Sequence, residues 1–158
     1  MASLHPQKGN KLLVDLDAPE AGALRQVADE MLLLLEDESR ADPVIKRLFP
    51  DAYEDAKDAR AFASLVGDEL RRTKRHSLER VRSRLGRAGG ARVSLAPDDV
   101  QAWLTTLTDM RLAIGARLEI TEDLMDAPLD PGHPDSPSMA ILQWLGWLQE
   151  SILETIEI

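Results

Sequence analysis

The chain has 158 residues, a formal net charge of −9 and no cysteine. That length is one ordinary domain, able to bury a core without metal or disulfide support, and the lack of cysteine excludes disulfides, thiolate catalysis and cysteine-ligated zinc. Net acidity argues against generic nucleic-acid affinity, and the longest pure apolar run, Met31 to Leu35, falls far short of a membrane span.

Residues 1–10 show no apolar signal core and read as a flexible N-terminal tail of a cytoplasmic protein. Leu12, Val14 and Leu16 alternate, which predicts a short strand over residues 11–16. Asp17 and Glu20 form an Asp-x-x-Glu capping pattern around Pro19, so a helix starts there. Leu24, Val27, Ala28, Met31, Leu34 and Leu35 carry it at helical spacing to about Asp37. A short helix is predicted from Asp42-Pro43 to Leu48, stopped by Pro50. A long helix follows from about Asp55 to Leu85, with a stripe of Phe62, Leu65, Val66, Leu70, Lys74, Leu78, Val81 and Leu85, and Gly89-Gly90 ends it.

Val93 and Leu95 alternate in a second short strand, expected to pair with the first. Pro97-Asp98-Asp99 opens a helix to about Glu119, with acids where the helix dipole favours them. Its stripe is Val100, Trp103, Leu104, Leu107, Arg111, Ile114 and Leu118. Residues 122–137 hold four prolines and five acids and read as an acidic loop. Ser136-Pro137 then caps a last helix in which eight of the ten residues from Met139 to Leu148 are apolar. A helix apolar nearly all round belongs inside, so the other helices are expected to wrap around it, with Trp103, Trp144 and Trp147 in the core. The fold class is therefore mainly α: one domain over 1–158, a helical bundle of four main helices and one short helix, with a small two-stranded β element.

Charge is unevenly spread. Residues 71–92 hold nine Lys/Arg and one acid, Glu79, which leaves 10 bases and 27 acids elsewhere. On a helical projection Arg71, Arg72, Arg75, His76, Arg80 and Arg82 share one broad face. Such a face binds phosphates or acidic proteins, or attracts the chain's own acids. No aromatic residue interleaves it, so it offers no stacking platform for single strands, and no helix-turn-helix signature is evident. Arg111 stands in an apolar stripe and calls for a partner, because a buried charge is normally paired. Glu150, on the face of the last helix shared with Gln143 and Gly146, is the predicted counter-charge. The alternative is a small-ligand or enzyme site around Arg111. Gly115 and Gly146 lie inside helices at a cost of about 1 kcal/mol each against alanine, which predicts close helix approach, one of them admitting a tryptophan or another backbone. His5, His76 and His133 are scattered without metal-site spacing, and Asp123, Asp126, Asp130 and Asp135 do not match a calcium loop. No phosphate loop, nucleophile elbow or dinucleotide fingerprint is present, so no catalytic, cofactor or metal residue is assigned.

The segments from Asp109 to Leu118 (DMRLAIGARL) and from Trp144 to Glu150 (WLGWLQE) resemble two signature segments of an uncharacterised family from high-GC Gram-positive bacteria, and Leu48 to Tyr53 (LFPDAY) resembles a weaker third. The similarity runs from the first strand to the final helix. It implies a cytoplasmic protein whose gene often lies beside that of the Clp protease adaptor, and hence a role near regulated proteolysis. It defines no catalytic residues, and the arginine density from Arg71 to Arg87 departs from the family pattern. The reading that follows is a non-enzymatic protein-interaction module with a Clp adaptor or protease as partner. The alternative is a nucleic-acid-associated accessory protein using residues 71–87. Homodimerisation is compatible with either.

Overall fold

The computed structural model describes residues 2–36, 60–118 and 136–156, with 60–68 described by backbone alone. The chain runs β1 (Ser3–Gln7), β2 (Lys11–Leu16), α1 (Ala18–Glu36), α2 (Arg60–Arg84), β3 (Ala91–Leu95), α3 (Pro97–Leu118) and α4 (Ser136–Ile156). It is mainly helical, with one small antiparallel sheet. The expected helix over 42–48 and the acidic loop fall outside the described residues, apart from the loop's last two, which open α4.

The sheet has three strands, not two, in the order β1-β2-β3. The expected flexible tail supplies the extra strand. Lys8-Gly9-Asn10 turns β1 back onto β2, with Gly9 at φ 76° and Asn10 at φ 60°, the left-handed conformations that Gly and Asn adopt at least cost in a hairpin turn. Pro6 sits opposite Leu12. Proline has no N–H, so Pro6–Leu12 is a pair that does not exchange ladder bonds, and its nitrogen faces away from β2. By alternation, Leu12, Val14 and Leu16 turn their backbone groups toward their partners Leu95, Val93 and Ala91 on β3. Arg92 and Ser94 then turn theirs outward, at the free edge. The side chains of Leu12, Val14, Leu16, Val93 and Leu95 are buried on the inner face.

The capping pattern at Asp17 forms in both directions. The Asp17 N–H donates to Glu20 Oε1 at 3.1 Å and the Glu20 N–H donates to Asp17 Oδ1 at 2.9 Å. Glu20 does more than cap α1. Its Oε2 accepts from the Ala2 N–H at 2.9 Å and from Trp144 Nε1 at 3.1 Å, so one carboxylate ties together the start of β1, the start of α1 and the middle of α4. Gly90, just before β3, lies against the end of β2. A Cβ there would stand 2.5 Å from the Leu16 carbonyl oxygen, so only glycine fits.

The centre of the protein is α3, and this corrects the expectation for the last helix. α3 packs against α1, α2, α4, β2 and β3. It can do so because it buries two stripes: Val100, Trp103, Leu107 and Met110, and a small-residue stripe of Ala102, Thr106, Asp109, Ala113 and Ala116. α4 lies to one side, against α3 and β1. It buries one stripe only, Leu142, Leu145, Leu148 and Ile152. Trp103 is 1% exposed and Trp144 is half-buried against the core, but Trp147 is 43% exposed, so it is not a core residue as predicted. Its position, two residues from Leu145, places it about 200° round the helix from the core.

Candidate functional site

The basic stretch divides into two parts. Along the body of α2, the cations are taken up by the protein itself. Arg71 donates to the Leu35 carbonyl at 3.2 Å, near the end of α1. Arg75 pairs with Glu36 at 3.0 Å and with Glu79 at 3.1 Å. Arg80 pairs with Asp99 in the first turn of α3. Arg82 pairs with Asp29 of α1 at 2.8 Å and also donates to the Gly86 carbonyl. Pairs this exposed contribute little stability, up to about 1 kcal/mol each, but they neutralise the charge. Arg72 and His76 are exposed, without a hydrogen bond or ion pair among the described residues. Most of the predicted interaction face is thus engaged with the chain's own acids and carbonyls.

The second part lies at the C-terminal end of α2 and on β3. Arg84, Arg87 and Arg92 are exposed. Arg84 donates to the Ser94 carbonyl of β3. Arg87 and Arg92 have no carboxylate partner among the described residues, although Asp15 stands directly across the ladder from Arg92. Besides Arg72 and His76 on the predicted face, the structure thus leaves positive charge without a carboxylate partner among the described residues at the edge of the sheet.

Arg111 does not pair with Glu150. Its Nη1 donates to Gln149 Oε1 at 3.0 Å, and Glu150 is exposed. One residue along a helix is a rotation of about 100°, which turns position 149 toward α3 and position 150 to solvent. Gln149 suits the place because its amide also donates, to the Leu104 carbonyl and to Thr108 Oγ1, which a carboxylate could not do. Gly146 admits neither a tryptophan nor a backbone but this guanidinium: a Cβ at 146 would lie 3.5 Å from the Arg111 guanidinium carbon. Arg111 itself fills the space beside Gly146, and a Cβ at Gly115 would meet nothing within 4 Å. Arg111 Nε is buried with no hydrogen-bond partner among the described residues.

A buried ion pair does exist, at a place that the sequence reading missed. Lys74 Nζ lies 2.7 Å from Asp109 Oδ1, with side chains 16% and 8% exposed. Burial raises the Asp109 carboxyl above its ordinary pKa, while the hydrogen bond and charge of Lys74 pull it down without offsetting the rise. Met31, Leu35, Leu78 and Thr106 line the void beside the pair, which is too narrow for water, and Thr106 Oγ1 is buried without a partner among the described residues. The signal was half visible, since Lys74 interrupts an apolar stripe. Asp109 was hidden because its stripe consists otherwise of alanine and threonine. A groove of about 430 Å³ opens elsewhere, between the β1–β2 turn, the start of α3 and the end of α4, lined by Lys11, Leu12, Val100 and Leu104 among others. Among the described residues no group of His, Asp or Glu is placed to hold a metal ion, and no helix is long and apolar enough to cross a membrane.

A family model described as a domain of unknown function, DUF2017, matches residues 1–156. The chain belongs to this family. The chain is also similar to the putative oxidative stress regulator AosR of Mycobacterium leprae, 32% identical over 126 residues, a match that covers 71% of this chain and 57% of the relative. The oxidative stress regulator AosR of Mycobacterium tuberculosis is 27% identical over 180 residues, covering 92% of this chain and 82% of the relative. The mycobacterial sources agree with the high-GC Gram-positive resemblance of the sequence. No solved structure matches the chain.

Proposed function

We propose that this DUF2017 protein is a non-enzymatic regulator that works by binding another protein, using the arginine-rich corner where α2 meets β3. One observation carries the reading. In a chain of net charge −9, Arg71, Arg75, Arg80 and Arg82 of the α2 body are engaged internally, while Arg84, Arg87 and Arg92 project from the surface without a carboxylate partner among the described residues. Exposed cations left uncommitted on an acidic protein steer and orient an acidic partner. The regulatory half of the reading is supported by the relatives' name, oxidative stress regulator. None of the 158 residues here is cysteine, so this chain has no thiol to oxidise, and the reading places its regulation in contacts with the partner.

The test is affinity capture from native lysate with the tagged full chain, comparing wild type with a charge-reversed R84E/R87E/R92E variant. The expected result is a partner protein retained by wild type and lost from the variant. The Clp adaptor and protease are the first candidates to probe for, as the gene-neighbourhood resemblance implies. A partner kept equally by both would move the site elsewhere on the surface. Capture of nucleic acid alone, abolished by nuclease, would replace the reading with the nucleic-acid one.

A further inference from the structure

We infer that the free edge of β3 accepts an extended acidic segment of the partner protein as a fourth strand, its carboxylates taken by Arg84, Arg87 and Arg92. The inference rests on the proposed function and specifies the partner's chemistry. β3 is an outer strand with β2 on one side. The phase of the ladder, set by Pro6 opposite Leu12, turns the backbone N–H and C=O of Arg92 and Ser94 away from the sheet. The bond from Arg84 to the Ser94 carbonyl agrees with this phase, because that carbonyl accepts from a side chain of α2. An outward row of donors and acceptors is a template for strand addition.

The charge around the edge selects the occupant. Arg92 is on the edge strand itself, Arg84 reaches its rim from α2, and exposed Arg87 lies in the intervening turn. A second copy of the chain would bring three more arginines against these, so edge-to-edge self-pairing is disfavoured. A duplex nucleic acid would extend beyond this small patch onto a molecule with 28 acids against 19 bases, and no Phe, Tyr or Trp is present between residues 71 and 95 for a single strand to stack on. A peptide of about four residues, rising about 3.3 Å each, matches the length of the edge. Binding would move Arg84 from the Ser94 carbonyl to a carboxylate, exchanging a neutral acceptor for a charged one and freeing the carbonyl for the new strand.

The experiment uses the full chain and a fluorescent hexapeptide of alternating glutamate and valine, read by anisotropy at low and moderate salt. Wild type is expected to bind, more weakly as salt rises. R92E and R87E are each expected to weaken binding about tenfold while their thermal melts match wild type. The same peptide N-methylated at alternate residues keeps its charge and loses its ladder bonds, and its affinity should also fall about tenfold or more. Equal affinity for the methylated peptide, no dependence on Arg87 or Arg92, or tighter binding of a DNA duplex at the same arginines would each overturn the inference. So would an increase in peptide affinity when Asp123, Asp126, Asp130 and Asp135 become Asn, which would make the chain's own acidic segment the occupant. So too would a dimer that R92E dissolves. If lysate capture retains a partner but the peptide does not bind, the protein-binding reading stands and the strand-addition inference alone falls.

Discussion

Breaking the Lys74–Asp109 pair is the sharpest test of how this fold is held. The two side chains are 16% and 8% exposed and 2.7 Å apart, and they join α2 to the central helix α3. Lys74→Met leaves a buried carboxylate with no other cation partner among the described residues, and Asp109→Leu takes from Lys74 its carboxylate at 2.7 Å. Each single variant is expected to lose about 3 kcal/mol, as measured for buried pairs deprived of one partner. At about 2–4 °C per kcal/mol for a chain of this size, that is a drop in Tm of about 6–12 °C. The double variant Lys74→Met/Asp109→Leu replaces two charges by well-matched apolar chains and is expected to lie within about 1 kcal/mol of wild type. Urea unfolding of all four proteins at pH 5 and pH 7.5 closes the cycle. The pH dependence has a definite sign. Burial already holds the folded Asp109 pKa above its unfolded value. A raised carboxyl contributes stability that is present below the unfolded pKa and lost as pH rises through the folded one. Removing Lys74 deletes the two influences that pull it down, so the deficit of Lys74→Met relative to wild type grows from pH 5 to pH 7.5. Single-variant losses that simply add in the double variant, or a deficit that shrinks with rising pH, would refute this account of the pair.

The remaining expectations concern single positions. Thr106→Val replaces a buried hydroxyl that has no partner among the described residues and no room for water, and a gain of up to about 1 kcal/mol is expected in chemical denaturation. Gly115→Ala is expected to stabilise by about 1 kcal/mol through helix propensity, because a Cβ there meets nothing within 4 Å. Gly90→Ala should instead lower Tm clearly in calorimetry, since its Cβ would meet the Leu16 carbonyl at 2.5 Å. Glu20→Ala removes one arm of the cap together with the bonds from Ala2 and Trp144. A loss of about 2 kcal/mol is expected, with a shift in tryptophan emission as Trp144 loses its acceptor.

Local signals carried most of the secondary structure. The Asp17–Glu20 cap, Pro97 with its two acids, Gly89-Gly90 and the apolar periods marked helix and strand ends close to where they occur, because caps, breakers and alternation act through neighbours in the chain. β1 was also legible in principle: Gly9-Asn10 is a hairpin turn signal, overlooked because Ser3–Gln7 is too polar to announce a strand. What the sequence could not decide was which helix stands at the centre. α4 is the more apolar, yet α3 is the more enclosed, because its alanines and Thr106 let α2 come close while Trp103 and Leu107 fill the other side. Hydrophobicity measures how much a helix gains from burial, and side-chain size on each face decides how many neighbours can reach it. The same limit governs the charges. Composition alone established an acidic, cysteine-free chain with a basic segment. Only the packing of α1 and α3 against α2 decided that Arg75, Arg80 and Arg82 meet carboxylates, that Arg111 meets Gln149 rather than Glu150, and that Arg87 and Arg92 meet none among the described residues. Ion pairing depends on distances of a few ångströms between residues far apart in sequence, and those distances exist only once the helices are packed.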